Sequence, residues 1–278
     1  MIGRDTVLVK TLKVILLAGW LIVTVFPFYW MLSTSLKEPG AIAAYPVQYW
    51  PAKLSLVNYE WLFTKSTFTT YIFNSLLVAL SAAAFATLIA MLSGYVLARF
   101  TFKGRGSVTM AFLVTQMVPA FIALSALYQM MVNLHLVDNK LGLVIVYVAM
   151  CIPFSSIMLR GFFENVPQEI EEAAMVDGCN RTTALFRVIV PVMTPGILAT
   201  FIFNFVNCWN ELFLSVTLMN SDVNRTIPGA LNGFISTFNI EWGPLSAAAV
   251  VAVVPTMVLF AFASKYIVQG LTAGSTKG

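Results

Sequence analysis

Five polar side chains recur at regular intervals within an apolar stretch between residues 193 and 219. In chain order they are Thr200, Asn204, Asn207, Glu211 and Ser215. Intervals of four, three, four and four residues place all five within an arc of about 80° on an α-helix. A stripe that includes a carboxylate is costly to expose to an apolar solvent. It therefore predicts either the polar lining of a pathway between helices or hydrogen bonds that join neighbouring helices.

A second and weaker polar stripe lies upstream, in another apolar stretch. Its members are Thr115, Ser125, Gln129 and Asn133. The same two interpretations apply to it, a polar lining or interhelical hydrogen bonds. On the first interpretation, Gln129 joins the five residues of the main stripe as a candidate for a translocation pathway.

Side chains that ligate metals or act as nucleophiles are too sparse for an active site. The one histidine is His135, and the cysteines Cys151, Cys179 and Cys208 include no CxxC pair. This spacing indicates neither a zinc site nor a disulfide framework. The GxSxG and HExxH patterns of hydrolases are missing, and without GxxxxGK[ST] the chain is not expected to bind ATP by itself. We expect a protein that is not an enzyme and that holds no metal or cofactor of its own.

The composition indicates a bilayer environment. Of the 278 residues, 59% are hydrophobic and 10% are charged, with a mean hydropathy of +0.85. Soluble domains are nearer to one quarter charged. The net charge of +4 is explained by Lys and Arg in cytoplasmic loops. Because no basic run is interleaved with aromatic residues, no nucleic-acid partner is expected.

Six apolar runs are long enough to cross a bilayer as helices, which requires about 20 residues. They are Leu12–Ser33, Thr70–Leu97, Val108–Val132, Leu141–Phe163, Met193–Met219 and Pro244–Val268. Pro119 interrupts the third. In the second, small residues at four-residue spacing, which let another helix approach closely, are Ala82, Ala86, Ala90 and Gly94. We predict an all-α, polytopic membrane protein with six transmembrane helices in a single domain, residues 1–278.

The distribution of Lys and Arg predicts the orientation of these spans. One side holds eleven of the sixteen, namely Arg4, Lys10, Lys13, Arg99, Lys103, Arg105, Arg160, Arg181, Arg187, Lys265 and Lys277. The other side holds five, namely Lys37, Lys53, Lys65, Lys140 and Arg225. Both termini are therefore predicted to be cytoplasmic, as is the polar segment between the fourth and fifth spans.

This polar segment, Glu164–Pro191, is patterned as two short helices around a glycine, and we call it the elbow. Its acidic residues are Glu164, Glu169, Glu171, Glu172 and Asp177. Three of them follow Pro167, near a helix N-terminus where the helix dipole stabilises carboxylates. Gly178 suits the left-handed position that ends a helix, and Asn180 or Thr182 can cap the next helix, which Pro191 is predicted to end. We expect the elbow to be a docking surface for a cytoplasmic partner.

The elbow resembles the EAA motif of ABC-importer permease subunits, EAA-x3-G-x9-I-x-L-P. The matching residues are Glu172-Ala173-Ala174, then Gly178, then Val188-Ile189-Val190-Pro191. Other features are similar to the MalG-like, binding-protein-dependent sugar permeases of the maltose-system type. They are Phe26-Pro27-Phe28, Asn74-Ser75, Trp209-Asn210-Glu211, Thr226-Ile227-Pro228, Gly270-Leu271-Thr272-Ala273-Gly274 and Lys277-Gly278. The resemblance covers essentially the whole chain.

The resemblance implies an inner-membrane permease subunit of an ATP-driven importer, for a sugar or oligosaccharide. Its partners would be an ABC ATPase dimer that holds the ATP, a second homologous permease and an extracytoplasmic solute-binding protein. The residues expected to couple the elbow to the ATPase are Glu172, Ala173, Ala174, Asp177, Gly178, Phe186 and Pro191. The alternative is an ion-coupled secondary transporter, which needs ionisable residues near the bilayer midplane. Glu211 is the one candidate for that role.

Overall fold

The computed structural model describes residues 7–235 and 240–273, with side chains throughout except at residues 120 and 263–273. Arg4, Gly274, Lys277 and Gly278, which were cited above, lie outside the described residues. The first helices are α1 (Val7–Ser35), α2 (Pro39–Ile42), α3 (Val57–Thr64), α4 (Phe68–Arg99), α5 (Arg105–Met117) and α6 (Ala120–Asn133). Then follow α7 (Lys140–Asn165), α8 (Gln168–Val176), α9 (Arg181–Ala184), a π-helical turn (Leu185–Ile189), α10 (Val190–Val192), α11 (Thr194–Asn210), α12 (Phe213–Leu218), α13 (Ile227–Gly233) and α14 (Trp242–Ala273).

The described helices account for the predicted membrane spans. Four are long and apolar enough to cross a bilayer alone, namely α1, α4, α7 and residues Trp242–Phe262 of α14. Two bent pairs raise the number to six if each pair is one span. They are α5 with α6, and Arg181–Val192, which we call the elbow's second arm, with α11. The prediction of an all-α, polytopic chain is confirmed.

Two of the spans are broken rather than continuous. The predicted interruption at Pro119 separates α5 from α6, and Val118 before it is extended with ψ 116°, as the residue before proline prefers. The predicted continuous helix Met193–Met219 is wrong. The chain bends by 77° at the start of this stretch, before α11. A break at Glu211, where ψ is 117°, then divides the stretch into α11 and α12.

The described chain groups into two compact units. The described parts of Met1–Thr69 and Leu231–Val254 form the first, and those of Thr70–Ala230 and Pro255–Gly278 form the second. In the first unit, apolar side chains are exposed along most of α1. Lys37 is one of the five charges predicted on the outward side, and its side chain is buried. Its ammonium donates to the carbonyl of Gln48 at 2.5 Å and lies 4.6 Å from the ring centroid of Trp30. Burial lowers the pKa of Lys37 below its ordinary value.

In the second unit, the small residues of α4 form a close helix interface, as their spacing predicted. Ala82, Ala86 and Ala90 are fully buried. A Cβ atom added to Gly94 would lie 3.0 Å from the backbone nitrogen of Arg160 on α7. Glycine suits this approach, because a Cβ atom would require the two helices to move apart by a few tenths of an ångström.

The same interface continues into a cluster that joins α4, α7 and the elbow. Its fully or nearly fully buried members are Ala90, Met91, Tyr95, Leu159, Phe163, Leu185, Ile189 and Met193. Leu185 and Ile189 belong to the elbow's second arm, and Met193 directly follows that arm. The elbow is therefore packed onto the ends of two long helices.

Candidate functional sites

The elbow has the helix-Gly-helix form that its sequence predicts. α8 ends at Val176, and Gly178 follows with φ +92°, in the left-handed region. The N–H of Gly178 donates to the carbonyl of Met175 at 3.1 Å, so the end of α8 is satisfied by the turn. The side chain of Asn180 accepts a hydrogen bond from the N–H of Thr183 at 2.8 Å. Of the two predicted caps, Asn180 is the one used.

Pro191 does not end the second arm as predicted, because the helix continues through it to Val192. Proline lacks an N–H and its ring crowds the carbonyl four residues earlier. The π-helical turn just before Pro191 changes the backbone hydrogen bonding, since the N–H of Val190 donates to the carbonyl of Leu185, five residues back. The chain bends only at Met193, before α11.

Glu171 anchors the elbow to α4. The residue is buried, although it lies in the first turn of a short and mostly exposed helix. Its carboxylate accepts a hydrogen bond from the hydroxyl of Tyr95 and lies 3.3 Å from Nε of Arg99. The Arg99 guanidinium also donates to the carbonyl of Val166 at 2.8 Å. The carboxylate of Glu171 on α8 thus contacts the guanidinium of Arg99 and the hydroxyl of Tyr95 on α4. These contacts hold α8 against the end of α4.

The sequence analysis treated Glu171 as one of several carboxylates stabilised by the helix dipole, and it missed this contact. A signal was available, because Glu171 lies three residues before Ala174, on the same face of α8. Arg99 is also the one basic residue in the last turn of α4. Neither observation says that the two charges meet.

The opposite face of the elbow carries most of the residues predicted to contact a partner. Six are exposed, namely Glu172, Ala173, Asp177, Gly178, Phe186 and Pro191. The side chain of Phe186 is 46% exposed. The seventh, Ala174, is buried at 7% exposure because it shares the inner face with Glu171. Ala174 is therefore not part of the exposed surface.

The polar stripe, which begins on α11 and ends on α12, divides into two parts with different surroundings. Thr200, Asn204 and Ser215 are fully buried. The amide of Asn204 donates to Thr87 of α4 at 3.1 Å and accepts from Ser155 of α7 at 2.7 Å. At this depth the stripe joins three helices, which is the second of the two interpretations given above.

Asn207 and Glu211 instead reach a cavity of about 220 Å³ between α7 and α11. Its lining comprises Gln116, Tyr147, Met150, Cys151, Phe154, Phe203, Asn207, Cys208 and Glu211. Gln129 lies apart from the cavity, exposed on α6, where it donates to Asn133. The polar residue that α5 and α6 contribute is Gln116, which the stripe pattern did not single out.

Glu211 has a structural role at the break between α11 and α12. Its carboxylate accepts hydrogen bonds from the N–H groups of Leu214 and Ser215, at 3.0 and 3.2 Å, and from the hydroxyl of Tyr147 at 3.0 Å. These bonds satisfy N–H groups that open α12. Because the carboxylate is already engaged, it is a poor candidate for the ion relay that a secondary transporter requires.

The two parts of the stripe predict different effects of the same substitution. Asn204→Leu is expected to lower the midpoint of thermal unfolding in detergent, because Thr87 and Ser155 lose a buried partner. Asn207→Leu is expected to leave that midpoint unchanged, since within the described part of the chain its amide bonds to the Phe203 carbonyl of its own helix. It is expected to reduce transport. Equal midpoints for both variants would contradict this division.

At the other end of the second unit, motif residues far apart in sequence meet. The amide of Asn74 donates to the carbonyls of Val223 and Arg225, both at 2.9 Å, and accepts from the ammonium of Lys140 at 3.0 Å. The N–H of Ile227 donates to the hydroxyl of Ser75 at 2.7 Å. Asn74 and Ser75, which have no evident role in the sequence, thus hold the loop after α12 against α4.

Comparison with known proteins identifies the class. Residues 86–273 match the family described as binding-protein-dependent transport system inner membrane component, and the chain belongs to that family. It is 36% identical over 254 residues to the diacetylchitobiose uptake system permease protein DasC of Streptomyces coelicolor, covering 91% of this chain and 92% of DasC. It is 31% identical over 279 residues to the trehalose/maltose transport system permease protein MalG of Thermococcus litoralis, covering 99% of both chains.

A solved structure shares the fold. The chain aligns with a bacterial ABC transporter involved in the import of alginate, with a TM-score of 0.84 over 96% of this chain and 99% of that one, at 20% identity. The resemblance to MalG-like ABC-importer permeases is therefore confirmed. The protein is a multi-pass inner-membrane permease of a binding-protein-dependent transport system.

Proposed function

We propose that this permease imports a sugar or oligosaccharide, driven by ATP that a separate ATPase dimer hydrolyses. The support for the substrate class is the chemistry named for its relatives. DasC is named for diacetylchitobiose uptake and MalG for trehalose/maltose transport. These are disaccharides, so a molecule of that size and polarity is the first substrate to test.

The elbow is proposed as the element that receives the motion of the ATPase. The observation that supports this role is its two-sided construction. One face is tied to α4 by the buried contact between Glu171 and Arg99, and the other exposes Glu172, Ala173 and Phe186. A partner that grips the exposed face would displace α8, and the buried contact would carry that displacement into α4. The two end states then differ by a rigid movement of packed helices.

The remaining partners follow from the same proposal. A second, homologous permease would complete the transmembrane assembly, and an extracytoplasmic solute-binding protein would deliver the substrate, in keeping with the family to which the chain belongs. Both termini and the elbow would lie in the cytoplasm, on the side with the excess of Lys and Arg. The loop after α12 would lie on the opposite side, where the binding protein docks.

The proposal is tested by reconstituting the permease with its ATPase, second permease and binding protein in proteoliposomes. ATP-dependent uptake of radiolabelled disaccharides is expected, together with stimulation of ATP hydrolysis by the loaded binding protein. Glu172→Lys is expected to abolish both activities, because the substitution reverses the charge on the exposed face, while the amount of protein in the membrane stays unchanged.

The matched control is Glu60→Lys, the same charge reversal at an exposed residue of α3 in the first unit. It is expected to retain uptake. Full activity of Glu172→Lys would refute the role of the elbow. Stimulated ATP hydrolysis without uptake of any sugar in the panel would refute the substrate class and leave the coupling role intact.

A further inference from the structure

Two cysteines from different helices face each other in the second unit. Cys151 lies on α7 and Cys208 on α11, and their sulfur atoms are 3.7 Å apart. They are separated by 57 residues in sequence, so neither their spacing nor any short motif predicts the contact. Both thiols are free, and the third cysteine, Cys179, lies in the turn of the elbow.

The contacts on either side of this pair fix the register of the two helices. Four residues before Cys151, Tyr147 donates to Glu211 on the α11 side, and four residues after it, Ser155 donates to Asn204. The pair therefore lies one helical turn from a polar contact in each direction. The helices cannot slide past one another without breaking both contacts, which keeps the two sulfurs opposed.

Small molecules can reach the pair from the cavity. Cys151 and Cys208 both line the space of about 220 Å³ described above, beside the closely packed rings of Phe154 and Phe203. A bonded pair of sulfurs is separated by about 2.05 Å, so these atoms need to approach by roughly 1.7 Å. The link requires this movement of the two side chains in the cavity wall, with no change of helix register.

We propose that Cys151 and Cys208 form a redox-active dithiol that hydrogen peroxide converts to a disulfide between α7 and α11. Peroxide first oxidises one thiol to a sulfenic acid, and one water leaves as the O–O bond breaks. The second sulfur then attacks the sulfenic sulfur, the S–S bond forms and the second oxygen leaves as water. Two thiols and one peroxide thus give one disulfide and two waters, and a dithiol reductant reverses the link.

Trypsin provides a direct test, because it places each cysteine in a different peptide. Cys151 falls in residues 141–160, Cys179 in residues 161–181 and Cys208 in residues 188–225. Membranes that contain the full-length permease are treated with hydrogen peroxide, blocked with N-ethylmaleimide and digested without reductant. Mass spectrometry is expected to find peptides 141–160 and 188–225 joined, and dithiothreitol is expected to separate them. Peptide 161–181 is expected to carry the maleimide.

Single substitutions provide the controls. Cys151→Ser and Cys208→Ser are each expected to abolish the joined species, whereas Cys179→Ser is expected to retain it. The proposal is overturned if both peptides of the oxidised native protein remain separate, whether alkylated or oxidised to sulfinic acid. It is also overturned if Cys179 is found in the linked species in place of either partner.

Discussion

Glu171→Leu is expected to produce the largest loss of stability of any single substitution in the elbow, together with a loss of function. The side chains of Glu171 and Arg99 are each 6% exposed and lie 3.3 Å apart. Removing the carboxylate leaves the guanidinium buried without a counter-charge, which typically costs about 3–5 kcal/mol. The hydroxyl of Tyr95 loses its acceptor as well. We expect a lower thermal unfolding midpoint in detergent and uptake below a tenth of the native rate.

Two further variants test whether the loss of stability comes from the unpaired Arg99 guanidinium or from any substitution in α8. Glu172→Leu removes the neighbouring carboxylate, which is exposed, and is expected to leave the unfolding midpoint unchanged. The double variant Arg99→Leu, Glu171→Leu removes both buried charges and is expected to recover most of the lost stability. If Glu171→Leu unfolds at the native midpoint, the buried pair does not hold the elbow in place.

Gly178→Pro is expected to abolish coupling with no loss of protein from the membrane. Gly178 has φ +92°, whereas proline requires a value near −65°. Proline also removes the N–H that donates to Met175. The two arms of the elbow can then no longer meet at their present angle, so the exposed face is broken. ATP-dependent uptake and stimulation of the ATPase are both expected to fall to background.

Gly178→Asn is the matched control for this position. Asparagine tolerates the left-handed region at a cost of about 1 kcal/mol, and it keeps the N–H. No heavy atom of the described neighbours lies within 4 Å of an added Cβ, so the side chain has space. We expect at least half of the native uptake. Similar losses in the proline and asparagine variants would show that the backbone conformation is not what matters here.

The elbow illustrates how far local patterns can predict this site. Gly178 was predicted to occupy a left-handed turn and Asn180 was one of two predicted caps, because each depends on backbone groups within a few residues. Pro191 was predicted incorrectly, since the π-helical turn that accommodates it depends on how Leu185 and Ile189 pack against α4 and α7. Local preference was overridden there by the burial of apolar side chains.

The polar stripe shows the same limit on a larger scale. Its spacing predicts that five polar residues share one helix face, but not what that face meets. Asn204 joins three helices, Asn207 lines a cavity and Glu211 caps α12, although all three belong to one pattern. The break at Glu211 lies in a run that is apolar on both sides, so hydropathy alone predicts one continuous helix.

The sequence by itself determined the environment, the apolar spans and the family of this protein. Composition and apolar run length are properties of the chain alone, and the EAA pattern is local, so none of them requires knowledge of distant contacts. Tertiary structure alone decided which groups that are distant in sequence come into contact. Arg99 with Glu171, Cys151 with Cys208 and Asn74 with Arg225 are pairs separated by 57 residues or more. Each contact depends on how distant helices and loops pack against one another, which no local pattern in the sequence specifies.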